Sequence, residues 1–111
     1  MTAIINGWVE FSPENAGKAV QTAAHFMAET RSQRGCREYV WSIDPAIPGR
    51  VCVYENWESS ENLKAHLAGR YYADILGLLG QYEMLEIDIL QIKNIDAFSE
   101  HPVAVFRNRS K

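Results

Sequence analysis

The chain has 111 residues, 47% of them hydrophobic and 23% charged, with a net charge of −3; that suits one domain built on one core. No basic cluster occurs beyond a few residues at the C-terminus, which argues against nucleic acid as a partner, because phosphate binding needs a concentrated positive field. The longest apolar runs are of strand length, so no membrane span is expected, and residues 1–7 lack the basic start and long apolar run of a signal peptide; the expectation is a cytoplasmic protein.

Residues 3–11 are apolar and β-rich and read as a first strand. Ser12-Pro13-Glu14-Asn15 then reads as a helix start, with Ser12 as N-cap and Pro13 at the first helical position. The helix runs to about Gln33 on an apolar stripe of Ala16, Val20, Ala23 and Met27, widened by Ala19 and Phe26. Lys18, Thr22, His25 and Glu29 form its polar stripe, and Gly35 lies just past its end. A second strand covers about 36–43, with Tyr39, Trp41 and Ile43 on one face. The loop Asp44-Pro45-Ala46-Ile47-Pro48-Gly49 leads to a third strand at 51–57. Ser59 or Ser60 caps a short helix through Ala68, which Gly69 interrupts. A second helical piece spans roughly 71–82, with Tyr72, Ile75, Leu76 and Leu79 on one side. The fourth strand is 84–93, where Leu85, Ile87 and Ile89 alternate with Glu86 and Asp88.

The order β-α-β-β-α-β, with the second helix broken, predicts an α+β fold of the ferredoxin-like type: an antiparallel sheet with helices on one face. Strands 1 to 3 carry apolar or aromatic residues on both faces, so the bare sheet face is expected to pair with a second copy in a homodimer. Residues 1–95 are read as the domain. Residues 96–111, with Val103-Ala104-Val105-Phe106 and His101, are read as an extension packed on the domain or the partner subunit. Cys36 and Cys52 stand in no metal-ligand spacing and read as small buried hydrophobes, kept as thiols in a reducing compartment. The three histidines are scattered, so no metal site is expected.

The chain resembles the antibiotic biosynthesis monooxygenase superfamily, and within it the small quinol-monooxygenase-like proteins. The resemblance covers residues from about 3 to about 94. It is carried by Gly35-Cys36-x-x-Tyr39, the Pro48-Gly49 hairpin, Tyr54-Glu55-x-Trp57-Glu58-Ser59, Leu63-x-Ala65-His66-Leu67 and Leu85-Glu86-Ile87-x-Ile89-Leu90. It implies a dimeric α/β barrel with a pocket between helices and sheet, and oxygenation of quinols or polyketide phenols without metal or flavin, hence no cofactor. The chain departs from the family in places. Members that oxidise anthrone-like polyketides have Asn and Tyr where this chain has Val53 and Leu63. Many quinol-type members have His where this chain has Tyr71. The haem-degrading branch would place its Trp near His66 and its His near Leu76.

Dioxygen is a ground-state triplet, so a cofactor-free site has to make an electron-rich anion of its substrate. That calls for an apolar pocket, a base near pH 7 and donors for the anion. His66 shares a helix stripe with Leu63 and Leu67 and is the base candidate; the alternative is a core-edge histidine bonded to a backbone carbonyl. Trp57 is expected to stack on the substrate ring or to pack in the core. Asn6, a polar residue in an apolar strand, and Tyr72, on the inward helix stripe, are expected to hold the anion, or else to make structural hydrogen bonds. Glu55 shares the Trp57 face, either as a second acid–base group or as part of a salt bridge in the dimer barrel. Three readings follow: a cofactor-independent monooxygenase acting on a quinol or phenolic compound, a non-catalytic module binding a small aromatic, or a non-redox isomerase or cyclase on the same fold.

Overall fold

The structure, a computed structural model, describes residues 1–95 and the side chains of residues 1–93. The expected extension at 96–111, His101 included, lies outside the described residues. The chain order is β1 (Thr2–Glu10), α1 (Pro13–Arg31), β2 (Cys36–Ile43), β3 (Arg50–Trp57), α2 (Ser60–Leu67), α3 (Arg70–Leu79) and β4 (Glu86–Ile95). The four strands form one sheet in the order β2-β3-β1-β4, every neighbouring pair antiparallel. This is the expected ferredoxin-like arrangement.

Local sequence accounts for the element ends. Pro13 opens α1 behind Ser12, whose extended backbone starts the helix without a side-chain cap. At α2 the cap is complete: the Ser59 hydroxyl accepts from the Asn62 N–H at 3.1 Å and donates to Asn62 Oδ1 at 2.7 Å. Gly35 sits at φ +81 between α1 and β2, where a side chain would run into Asn62. α3 stops at Leu79, three residues earlier than expected, with Gly80 as its C-cap. β4 starts at Glu86, so Met84 and Leu85 belong to its approach, pinned by Leu85 N–H to Glu10 O at 2.7 Å.

The core lies on one sheet face, under the helices. β1 contributes Ala3, Ile5 and Val9, β3 contributes Val51, Val53 and Trp57, and β2 contributes Tyr39. From above come Ala16, Ala19, Ala23, Phe26 and Met27 of α1, Leu63 of α2, and Ile75 and Leu79 of α3. The opposite face carries Ile4, Asn6 and Trp8 of β1 and Cys52 and Tyr54 of β3, none of them buried. There the Arg50 guanidinium lies 3.7 Å from the Trp8 ring centroid and bonds Glu10 at 2.8 Å. Cys36 and Cys52 are free thiols, as expected, but half-buried rather than buried.

Gly7, in the middle of β1, faces Ile89 of β4. A Cβ there would run into the backbone of Asp88 and Ile89, so the close approach of β4 depends on a residue without a side chain. Among the described residues no helix is long and apolar enough to cross a membrane.

Candidate functional site

Strand register puts four residues in one row across the inner face. Tyr39 pairs with Glu55, Glu55 with Ile5, and Ile5 with Gln91. Period-two alternation places all four side chains on the helix side. The row runs from a closed end at β2 to an open end at β4. Tyr39 is 1% exposed and Glu55 5%, whereas Ile87 and Ile89, on the same face of β4, are 53% and 42% exposed.

Between this face and the helices lies a cavity of about 360 Å³, at the small end of the range for ligand pockets. Its walls are mostly apolar: Ile5, Val9 and Val53 from the central strands, Leu67, Leu76 and Leu79 from the helices, Ile87 and Ile89 from β4. The lining residues with polar groups are Glu55, Tyr72, Gln91 and Trp41. Tyr72 arrives there because Gly69 breaks the helix and α3 restarts at Arg70, turning its apolar stripe toward the sheet.

Glu55 is the carboxyl of this cavity among the described residues. Its Oε1 accepts from the Trp57 Nε1–H at 3.0 Å and lies 4.0 Å from His66 Nε2. Burial pushes its carboxyl up to about 7, against the smaller opposing pull of the Trp57 hydrogen bond. A carboxyl in that range is partly ionised at neutral pH and can take a proton. Burial, then the Glu55 charge, push the Tyr39 hydroxyl above its usual range, so it stays a neutral phenol.

His66 lies behind Glu55 rather than in the cavity wall. It is 1% exposed. Its ring stacks on Trp57 at 4.7 Å and meets the edges of Tyr39 and Tyr72 at 5.5 and 5.6 Å. Its Nδ1 is 2.7 Å from Gln33 Oε1, and its Nε2 is buried without a hydrogen-bond partner among the described residues. Burial pushes the imidazole down to about 4, so it is neutral and weakly basic at pH 7. On its far side, His66 and Trp57 back a second groove of about 250 Å³ that also touches Gln33, Arg34, Asn62 and Ala65.

The four residues singled out from the sequence thus separate. Tyr72 lines the cavity. His66 and Trp57 form a buried stacked pair behind it, so the Trp57 face expected to meet a substrate ring is covered by His66. Asn6 is exposed on the opposite sheet face, because its neighbour Ile5 takes the inward position. It is not brought to the other three. His25 is exposed on α1, 3.0 Å from Glu29. Glu55 faces the helices instead of a partner sheet. Gln33 was not singled out at all; it sits in the turn after α1 and meets His66 across 33 positions of sequence, with no local pattern to mark it. Among the described residues no group of three His, Cys, Asp or Glu side chains could hold a metal ion.

Comparison with known proteins agrees with this architecture. The family model for antibiotic biosynthesis monooxygenases matches residues 3–77. A crystal structure from Deinococcus radiodurans, described as a candidate antibiotic biosynthesis monooxygenase, is 25% identical with a TM-score of 0.77, covering 87% of this chain and 96% of that one. A protein from Nitrosomonas europaea with the same description is 10% identical with a TM-score of 0.77, covering 88% and 94%. A conserved protein from Methanosarcina mazei is 18% identical with a TM-score of 0.76, covering 86% and 94%. The last two likenesses concern fold alone. No curated protein matches the chain.

Proposed function

The chain belongs to the antibiotic biosynthesis monooxygenase family, and from that premise we propose that it is a cofactor-independent monooxygenase oxidising a quinol or related phenolic compound with dioxygen. The observation that carries this reading is Glu55: a carboxyl raised to about 7 in the wall of an apolar cavity.

In this reading the Glu55 carboxylate, not His66, takes the proton from a quinol hydroxyl. Oε1 is held by Trp57, which leaves Oε2 for the ligand. The Tyr72 hydroxyl donates to the phenolate that forms, and the ring lies over Ile5 with its second oxygen toward Gln91. An amide suits that position because it donates to a quinone oxygen as well as accepting from a quinol hydroxyl. The anion passes one electron to dioxygen, and the two radicals join in a carbon–oxygen bond. Glu55 returns its proton to the peroxide. The carbon then loses its hydrogen as the oxygen–oxygen bond breaks, so one quinol and one dioxygen give one hydroxyquinone and one water. The apolar walls keep bulk water from the anion.

The outer sheet face, with Ile4, Trp8, Cys52 and Tyr54, supports a homodimer. Light scattering at micromolar concentration is expected to give about twice 12.6 kDa; a monomer would remove the barrel from the proposal. The two free thiols fit a reducing cytoplasm.

The deciding test is oxygen consumption by metal-free protein with a panel of hydroquinones and naphthols, wild type beside Glu55→Gln. Uptake above the autoxidation background that collapses in the variant is the expected result. No uptake from any compound, together with ligand-induced quenching of tryptophan fluorescence, would replace this reading with that of a binding module.

A further inference from the structure

The cavity and the second groove share no lining residue. Glu55 lines one, His66 lines the other, and the partition between them is their 4.0 Å contact. What fixes the ring in that partition is Gln33. Its backbone is held on both sides, N–H to Thr30 O at 2.9 Å and carbonyl to Cys36 N–H at 3.1 Å. Its side chain presents Oε1 to the ring, at 2.7 Å from His66 Nδ1. An amide oxygen only accepts, so the ring nitrogen 2.7 Å away is the one that carries hydrogen.

We propose that Gln33 is a positioning residue: by accepting the Nδ1–H of His66 it fixes one tautomer and aims the bare Nε2 at Glu55, making the pair a store for a single proton. The proton that Glu55 gains on Oε2 passes to His66 once the carboxyl turns and presents that oxygen to the ring: the Glu55 O–H bond breaks as the Nε2–H bond forms, and the other oxygen takes over the Trp57 N–H. The carboxylate is regenerated, and the reverse transfer returns the proton to the cavity. No other reactant is needed. The proton rests on Glu55, and the transferred state, which burial disfavours and which is therefore short-lived, is an imidazolium–carboxylate pair with Trp57 N–H on the carboxylate and Gln33 Oε1 on the imidazolium. The other titratable groups facing the pair are Tyr39 and Cys36 from β2 and Tyr72 from α3, with Arg34 across the groove. None of the three puts a cation against His66 while neutral, and an uncharged oxygen is what Gln33 supplies. The 4.0 Å separation is expected to shorten when a ligand closes the cavity.

The inference rests on the proposed base chemistry for its purpose, but its test does not. ¹⁵N NMR of the ligand-free protein reads the His66 tautomer directly. Wild type is expected to show Nδ1 protonated and Nε2 bare, a pattern kept in Gln33→Glu and lost to a mixture in Gln33→Leu. The carboxylate of Gln33→Glu is also expected to move the His66 titration to higher pH. In turnover, Gln33→Leu is expected to lower kcat on the order of 10²-fold with little change in KM, and Gln33→Glu to rescue it. A wild-type ring protonated at Nε2, or a Gln33→Leu ring with an unchanged tautomer, overturns the proposal. If Gln33→Leu does not fold, an unmoved His66 titration in Gln33→Glu overturns it instead. Should no quinol support oxygen uptake while the tautomer behaves as expected, the oxygenase reading falls and the role of Gln33 in the pair stands.

Discussion

The two ends of the inner-face row obey opposite rules. At the β2–β3 end, polar and ionisable groups are sealed: Tyr39, Glu55, Trp57 and His66 are all 5% exposed or less. At the β4 end, apolar groups are open: Met84, Ile87 and Ile89 are 38–53% exposed. Ordinary packing would place them the other way round. Sealing a carboxyl and an imidazole costs stability through desolvation, and opening aliphatic side chains forgoes burial. Such inversions are expected where a site outweighs the fold. The difference teaches how the proposed reading divides the cavity: the base sits at the sealed end, and the open end meets the incoming molecule.

Glu55→Gln is the strongest way to break the contrast. It keeps the shape and the acceptor for Trp57 N–H but removes the proton acceptor, so turnover is expected to fall roughly 10²–10⁴-fold, read as oxygen uptake at pH 7. A variant that retains more than a tenth of the wild-type rate would move the base elsewhere.

The same variant sharpens the comparison through stability. The Glu55 carboxyl rises from 4.5 unfolded to about 7 folded. Its contribution is therefore intact below about 4.5 and is lost as pH climbs through 7. His66 falls from 6.5 to about 4, so its neutral burial favours the fold above 6.5 and is lost as pH falls toward 4. The two slopes oppose each other between 4.5 and 6.5, and above that window only Glu55 acts. Urea unfolding at pH 8 is expected to find Glu55→Gln more stable than wild type by about 2–3 kcal/mol, and the two nearly equal at pH 4.5. Equal stabilities at pH 8 would mean that the carboxyl ionises without strain.

Trp57→Phe tests the sealed end more finely. Loss of the indole N–H removes the Trp57 hydrogen bond that favours ionised Glu55. The acid limb of the pH–rate profile is expected to move up by about one unit, the scale of a hydrogen bond to a charged group. A downward shift would show that Trp57 acts on Glu55 by some other route. The smallest effect belongs to the open end: Ile87→Ala is expected to raise KM a few-fold, by less than about 1.5 kcal/mol of binding, and to leave kcat alone. A large loss of kcat there would erase the division between the two ends.

Much of this fold was legible in the sequence. The Ser12-Pro13 helix start, the Ser59 cap, turn residues at Gly35 and Pro48-Gly49, and alternation in β3 mark the elements, and their order gives the sheet. The site was legible only in part, for reasons that particular residues show. Alternation in β3 says that Glu55 and Trp57 share a face; it does not say whether helices or a second sheet cover that face. In β1, Ala3-Ile4-Ile5-Asn6-Gly7-Trp8-Val9 is apolar at nearly every position, so nothing in the pattern shows that Ile5 points inward and Asn6 outward. His66 lies off the cavity and meets Gln33, a contact between distant parts of the chain that no local pattern marks. The lowering of its imidazole from the ordinary value comes from burial, which only the folded chain reveals.

Gly7 carries a consequence for how this pocket can diversify. Exchanging Ile87, Ile89 or Leu76 for larger or smaller side chains would reshape the lining and keep the frame. At Gly7 any other residue would drive its Cβ into the β4 backbone and displace the frame itself. Lineages descending from this chain are thus free to vary the furnishings of the pocket, while the gap between β1 and β4 is passed on as a fixed inheritance.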